Sequence, residues 1–136
     1  MNVQFGSTVL APGGTQGADN VRVDGQQVVQ EVQFFRGTSA AFYPRGSRGV
    51  SFQFTTHWLF NTTKLAEVFV LTHLTDLPMT TADRSTVTCT CGAGSETQAI
   101  YMANAVLEGA RILRYVGLAV DVEYTIRGPN FQTTSP

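Results

Sequence analysis

The clearest alternation of apolar and polar residues covers positions 117–128, near the end of the chain. Every second residue from Leu118 to Ile126 is apolar, and the residues between them are small, polar or charged. A period of two predicts a β-strand with one apolar face and one polar face. The polar face carries the two acids Asp121 and Glu123.

Several other segments repeat this alternation. A second long strand is predicted at 50–60, with an apolar face made of Val50, Phe52, Phe54, Trp58 and Phe60. Shorter strands are predicted at 28–35, 86–91, 97–107 and 111–116.

One segment has helical rather than strand spacing. Its apolar side is formed by Ala66, Phe69, Val70, His73, Leu74 and Leu77. This spacing predicts a helix at about residues 62–76, with N-cap candidates at its start and Pro78 soon after its end. The order of elements therefore predicts a mainly β, antiparallel chain with one packed helix.

The connections between these elements carry their own signals. Asp24-Gly25 predicts a hairpin turn before the strand at 28–35, and Glu108-Gly109 predicts a turn or a bulge. Residues 1–20 contain a short apolar strand followed by an arm rich in Pro and Gly. Residues 36–49 predict a long loop, and long loops inside compact domains usually contact a ligand or a partner.

The composition indicates one ordinary domain, residues 1–136, that can assemble with other proteins. Apolar residues make up 43% of the chain and charged residues only 14%, so burying its surface costs little desolvation. The net charge is −1 and Lys64 is the sole lysine, which argues against phosphate-driven binding of nucleic acid. The N-terminus lacks the pattern of a signal peptide, so synthesis in a cytoplasm is expected.

No combination of residues forms a convincing catalytic or metal site. His73 and Asp76 are three apart on the predicted helix, but no nucleophile motif accompanies them. His57 and His73 would need further metal ligands at a suitable spacing. Asp121 and Glu123 could act as paired carboxylates, although a solvated sheet face explains them more simply. We therefore expect no enzyme activity, no cofactor and no metal.

The two cysteines, Cys89 and Cys91, are expected on the same side of one strand. This spacing is too short for a relaxed disulfide within a regular strand. Small buried hydrophobic residues are the expected role for both.

The loop at 36–49 holds the candidate contact residues Arg36, Phe42, Tyr43, Arg45 and Arg48. Arginine and aromatic residues are enriched at protein interfaces. A contact between subunits is the preferred interpretation, and a solvated loop or a nucleic-acid contact are the alternatives.

Several stretches also carry a resemblance to a known family. They are Tyr43 to Arg48, Val50 to Thr56, Leu65 to His73 with Leu77-Pro78, Ala103 to Leu107, Val116 to Leu118 and Val122 to Gly128. In the order and type of these elements, residues 28–128 resemble the small tail structural proteins of bacteriophages and prophages, of the tail-tube and tail-tip type.

The resemblance implies an antiparallel β-sandwich or half-barrel with one flanking helix. It also implies a homo-oligomer, typically a hexameric ring, whose stacked copies form a tube that conducts DNA as non-specific cargo beside other tail proteins. Such a protein is made in the bacterial host cytoplasm and resides in the virion tail. In that arrangement Asp121 and Glu123 are the candidates for a negative wall facing the lumen, which would repel DNA phosphates.

A different class of function remains as the alternative. A small β-sandwich that binds carbohydrate or protein would expose a row of aromatic residues on one strand. Here the aromatic residues of the strand at 50–60 are assigned to the core, so their exposure distinguishes the two interpretations.

Overall fold

A computed structural model describes residues 1–13, 17–26, 29–33, 40–44, 49–79 and 84–136, with side chains described outside 26–48. The strands are β1 (Asn2–Phe5), β2 (Thr8–Ala11), β3 (Ala18–Gln26), β4 (Val29–Gln33), β5 (Ala40–Pro44), β6 (Gly49–Leu59), β7 (Arg84–Ala93), β8 (Glu96–Val116) and β9 (Ala119–Gly128). The helix α1 spans Thr63–Asp76.

Seven strands form one antiparallel sheet in the order β2-β1-β7-β8-β9-β6-β3, and β4 and β5 pair as a separate hairpin. The predicted fold class, mainly β and antiparallel with one packed helix, is confirmed. The predicted helix is also confirmed, and the Leu65 amide donates a hydrogen bond to the N-cap hydroxyl of Thr62 at 3.3 Å.

The core lies on one side of the sheet, beneath α1. The alternation predicted for β9 is confirmed, because Val120, Val122, Tyr124 and Ile126 are fully buried. In β6, Phe52 and Phe54 are buried as predicted. Burial of such aromatic and aliphatic side chains is the main source of stability in a fold of this kind.

The sheet curls until its two ends meet. The Thr56 hydroxyl of β6 donates to the Leu10 carbonyl of β2 at 3.2 Å, although these strands lie far apart in the strand order. The Ala18 amide of β3 donates to the Met1 carbonyl beside β1 at 3.1 Å. We call this junction of β3 and β6 with β1 and β2 the seam. The curl gives the sheet the half-barrel form expected from the resemblance.

Strand β8 differs most from its prediction. One strand of 21 residues replaces the two predicted at 97–107 and 111–116, and Glu108-Gly109 is a bulge inside it. A second irregularity surrounds Asn104, which has φ +53°. Each extra residue moves the following side chains to the opposite face. Ala105 and Leu107 are therefore buried in place of the predicted Val106.

Three predicted connections also need correction. Asp24-Gly25 is not a hairpin turn, because both residues continue β3 and pair with Ser51 and Val50 of β6. Residues 40–44, predicted as part of a long loop, form β5. The apolar N-terminal segment is a hairpin, β1 and β2, that joins the sheet through β7.

The predicted arm of residues 1–20 lies partly outside the described residues, at 14–16. No helix in the part of the chain that the structure describes is long and apolar enough to cross a bilayer.

Candidate functional site

The polar side of the sheet carries a band of paired charges on its outer surface. We call it the paired-charge face, and its members are Asp19, His57, Glu108, Arg111, Asp121, Glu123 and Arg127. They come from β3, β6, β8 and β9, because alternate residues of adjacent strands point to the same side. The face contains both acids that the sequence analysis selected.

His57 lies at the centre of one end of this face and contacts acids on both neighbouring strands. Its Nδ1 is 2.7 Å from Asp121 Oδ1 on β9, and its Nε2 is 3.2 Å from Asp19 Oδ2 on β3. Asp121 is the direct cross-strand partner of His57 in the β6–β9 pairing. The imidazole therefore links three adjacent strands across the polar surface.

These contacts shift two pKa values in opposite directions. The hydrogen bond to Asp121, reinforced by Asp19, raises the pKa of His57, although partial burial opposes the rise. The backbone amide of Asn20 and then the His57 ring lower the pKa of Asp19. Both shifts favour the charged forms and hence an ion-paired cluster.

The other acids of the face also have basic partners. Arg111 Nε donates to Glu123 Oε1 at 3.0 Å, and Arg127 Nε donates to Glu108 Oε2 at 2.8 Å. Glu123 is well shielded, with 18% of its side chain exposed, whereas the arginines are largely exposed. Asp121 and Glu123 therefore lie on a surface where acids have basic partners, and their position facing a lumen stays a prediction.

The opposite side of the same strands holds the second histidine in a different environment. His73 of α1 approaches the buried Tyr124 of β9, with 2.6 Å between Nε2 and the hydroxyl oxygen. Burial lowers the pKa of His73 and raises the pKa of Tyr124. Both shifts favour the neutral forms, and the Tyr124 hydroxyl and His73 Nε2 share one hydrogen bond whose direction depends on the imidazole tautomer.

An aromatic cluster surrounds this hydrogen bond. The His73 ring stacks on Phe69 with 4.2 Å between ring centroids, and Trp58 packs edge-on to His73. Trp58 Nε1 is buried and makes no hydrogen bond to any described residue. The cluster fastens α1 to the sheet, which is a structural rather than a catalytic arrangement.

The arrangement answers the chemical alternatives raised by the sequence. His57 and His73 occupy opposite sides of the sheet, so they do not form a joint metal site. Within the described ranges, no group of three or more His, Cys, Asp or Glu side chains could hold a metal ion. Asp121 and Glu123 are each engaged by a base, His57 and Arg111 respectively.

The cysteines have the expected environment only in part. Cys89 is buried, whereas Cys91 is half-buried, and both thiols are free. Burial raises the pKa of Cys89 to about 12, so its thiol stays protonated and unreactive at neutral pH.

Two surfaces are available for contact with other molecules. Strand β3 lies at one end of the sheet order, and its residues 19–25 are exposed, including Val21 and Val23. The outer side of α1 exposes Leu65, Val68 and Leu71, the last at 80%. A strand edge with no partner strand among the described residues and exposed apolar helix residues are both typical of assembling proteins.

The candidate contact residues of the predicted loop cannot be placed in these surfaces. Arg36, Arg45 and Arg48 lie outside the described residues. Phe42 and Tyr43 belong to β5, whose backbone alone is described. Their role in contacts between subunits stays a prediction.

Sequence reasoning missed the Asp19–His57–Asp121 bridge. His57 and Asp121 were both assigned to polar strand faces, but their partnership depends on which strands are neighbours and in which register. An acid and a histidine at polar positions of two alternating strands were the available signal.

Comparison with known proteins identifies the fold but no sequence family. No family model and no curated protein matches the chain. A chain of an extracellular contractile injection system, the PVC sheath-tube complex in its extended state, is similar with a TM-score of 0.57 and 13% identity, over 99% of this chain and 88% of that one.

Two further structures agree. A chain of the PVC sheath/tube terminator in its extended state has a TM-score of 0.58 and 13% identity, over 98% of this chain and 92% of that one. A chain of the anti-feeding prophage cap, described as a tube terminating cap, has a TM-score of 0.54 and 11% identity, over 98% and 87%. The resemblance to phage-like tail proteins is therefore confirmed at the level of the fold.

Proposed function

We propose that this chain is a structural subunit of a phage-like tail that assembles with copies of itself into rings. The observation that carries the proposal is the match of the whole fold, over nearly the full length of both chains, to chains of sheath-tube and tube-terminator assemblies. The role needs a scaffold with surfaces for neighbours, and the exposed β3 edge and the outer side of α1 support it.

The exposed edge of the sheet supports assembly through strand pairing. A strand edge presents backbone N–H and C=O groups that a neighbouring copy can satisfy by extending the sheet. Residues 19–25 of β3 are exposed although the strand is paired with β6 on its inner side. A neighbour that pairs with this edge would also cover Val21 and Val23. Pairing of one edge with a different edge is head-to-tail, and it closes a ring when the rotation between neighbouring copies adds up to a full turn.

The finer features come from the family resemblance. A hexameric ring, stacking of rings into a tube, DNA as non-specific cargo, other tail proteins as partners and residence in the virion tail all belong to this proposal. If the paired-charge face lines the lumen, its nearly balanced acids and bases would hold neither phosphates nor cations strongly. The contact residues Arg36, Phe42, Tyr43, Arg45 and Arg48 would then serve contacts between subunits.

The alternative of a carbohydrate- or protein-binding module lacks its distinguishing feature. Phe52 and Phe54 are buried, and Trp58 and Phe60 are half-buried against Phe69 of α1. The aromatic residues of β6 therefore belong to the core rather than to an exposed binding row. We do not favour a second function.

The test is the state of assembly over a concentration series, measured by light scattering and negative-stain electron microscopy. Rings or tubes with a central pore are the expected result. A uniform monomer of 14.7 kDa at every concentration would overturn the proposal.

A pair of matched variants tests which surface makes the contact. Replacing both Val21 and Val23 by Lys places charge on the β3 edge, which opposes strand pairing. The control replaces Val68 and Leu71 by Lys, which adds the same charge to the outer side of α1 without touching the sheet. We expect rings from the control and smaller species from the edge variant. The opposite result would assign the contact to the helix instead.

A further inference from the structure

We propose that His57 is a proton-dependent clamp that closes the seam of the curled sheet by holding Asp19 and Asp121 at the same time. The inference goes beyond the proposed function, because every contact in it lies within one chain. It concerns the end of the sheet where β3 and β6 meet β1 and β2.

The clamp acts on the short N-terminal end of β3. Ala18 and Asp19 pair with Thr56 and Thr55 of β6, and the register then shifts before Arg22. Asn20 lies within this shift and has φ +50°, a left-handed conformation that interrupts regular pairing. Only two residues pair with β6 before the shift, and the side chain of Asp19 adds a further contact with β6 through His57.

The same strand end also closes the seam. The Ala18 amide donates to the Met1 carbonyl, and Thr56, the partner of Ala18, donates to the Leu10 carbonyl. Movement of Asp19 away from His57 would therefore loosen the contact between β3 and β1 directly. The Ala18 amide is a reporter of the seam, because its hydrogen bond spans it.

The protonation state of the His57 ring decides whether both acids are held. A carboxylate only accepts hydrogen bonds, so the two carboxylates require N–H donors on both ring nitrogens, which is the protonated imidazole. A neutral ring keeps one proton. That proton stays at Nδ1, because the contact of Nδ1 with Asp121 is the shorter one. Asp121 is also the more shielded acid, with 21% of its side chain exposed. Nε2 then presents a lone pair to Asp19, which is repelled into solvent.

The neighbouring charges do not replace the clamp. On β3, Arg22 pairs with Asp24, beyond the register shift. On β9, Glu123 is engaged by Arg111 of β8. Arg114 of β8 is the register partner of Asp121 and adds positive charge on the side away from Asp19. Among the residues that the structure describes, His57 is therefore the basic group between β3 and β9, and in this proposal its protonation controls the seam.

The direction of the pH effect follows from the raised pKa of His57. The clamp is closed below the ordinary histidine pKa of about 6.5 and opens as the pH rises through the higher value in the folded chain. The difference in the His57 pKa between the closed and open forms sets the size of the pH effect. Seam opening should become about tenfold more frequent for each unit by which the folded pKa exceeds that of the open form.

The experiment measures two quantities on the full chain across pH 5 to 9. Imidazole NMR gives the pKa of His57, with His73 as an internal comparison, since the chain has two histidines. Amide hydrogen exchange gives the protection factor of Ala18, corrected for the intrinsic dependence of exchange on pH. The Tyr101 amide, which bonds to Gln132 away from the seam, is the reference. We expect Ala18 protection to fall through the His57 titration while Tyr101 protection stays constant.

A matched pair of variants separates the clamp from a general charge effect. Asp19→Asn should lower the His57 pKa and remove the pH dependence of Ala18 protection. Asp24→Asn removes the same charge from the same strand and should change neither. Constant Ala18 protection through the titration, or equal behaviour of the two variants, would overturn the proposal. Both substitutions are at exposed positions, so the fold is retained.

Discussion

The two histidines of this chain lie on opposite sides of one sheet and show what each side contributes. His57 sits on the paired-charge face between two carboxylates, and its pKa is raised. His73 sits under α1 against Tyr124 and Phe69, and its pKa is lowered by burial. The same side chain is therefore held as a cation on one side and as a neutral group on the other.

The difference separates two sources of order in the fold. On the buried side, contacts stabilise because apolar area leaves water and few polar groups remain unpaired. On the polar side, exposed ion pairs contribute little energy each, but they depend on pH and salt. We expect the buried side to set the stability of the chain and the polar side to set its response to conditions.

The strongest test of this contrast replaces adjacent residues of β9 that point to opposite sides. Tyr124→Ala should lower the free energy of unfolding by about 3–5 kcal/mol, because a fully buried aromatic ring leaves a cavity. Glu123→Ala should cost about 0–1 kcal/mol, because the partner of Glu123, Arg111, is largely exposed to solvent. Urea unfolding measures both losses of stability, provided that the slope of the unfolding free energy against urea concentration is the same in each variant. Similar losses for the two variants would refute the contrast.

A smaller change isolates the hydrogen bond on the buried side. Tyr124→Phe removes the hydroxyl that shares a hydrogen bond with His73 Nε2 and should cost about 1–3 kcal/mol, because the partly buried ring nitrogen is left without a partner. Tyr115→Phe is the matched control at an exposed position, where the change should stay within about 0.5 kcal/mol. A stability of Tyr124→Phe equal to that of the parent would show that water replaces the lost hydroxyl.

The pH dependence of stability should have opposite signs for the two histidines. His73 has a lowered pKa, so its contribution is present above about 6.5 and is lost as the pH falls through its folded value, by about 1.4 kcal/mol per unit of difference. His57 has a raised pKa, so its contribution is present below about 6.5 and is lost as the pH rises. Unfolding curves of His57→Gln and His73→Gln at pH 5.5 and 8.5 measure the two signs.

In that experiment the quantity to compare is the change in the free energy of unfolding between pH 5.5 and pH 8.5, rather than the absolute stability of each variant. His57→Gln should destabilise the chain more at pH 5.5 than at pH 8.5. His73→Gln should reduce the loss of stability on the acid side. Parallel behaviour of the two variants would mean that their environments differ less than the structure indicates.

The smallest expected effect concerns a single exposed pair of the paired-charge face. A double-mutant cycle with Arg127→Ala and Glu108→Ala should give a coupling energy of about 0.2–1 kcal/mol. The coupling should fall as salt rises towards 1 M, since exposed charges are screened. A larger coupling energy that does not change with salt would show that this pair behaves like a buried contact instead.

Strands β9 and β8 show how far the sequence alone could predict this fold. In β9 the alternation is unbroken, and Val120, Val122, Tyr124 and Ile126 are buried as predicted, whereas Leu118, just before the strand, is exposed. In β8 the local pattern is equally apolar, but extra residues near Asn104, Glu108 and Leu113 reverse the face three times. A bulge is decided by the partner strand opposite it, which a pattern in one segment does not contain.

The candidate site divides in the same way. The sequence identified Asp121 and Glu123 as polar-face residues, and the alternation of β9 was sufficient for that. It did not identify Asp19 as a partner of His57, because these residues are 38 positions apart and meet only through the β3–β6 pairing. The Asp24-Gly25 signal pointed to a turn at a place where the pairing with β6 outweighs local turn preference.

By itself, the sequence determined which residues are apolar or polar along each strand, where the helix begins and ends, and that the chain is mainly β. These properties depend on periodicity and capping, which are local. The tertiary structure alone decided the strand order, the curl that brings Thr56 to Leu10, and the bridge of His57 to two acids. They depend on register between distant segments, where a shift of one residue exchanges the buried and polar faces.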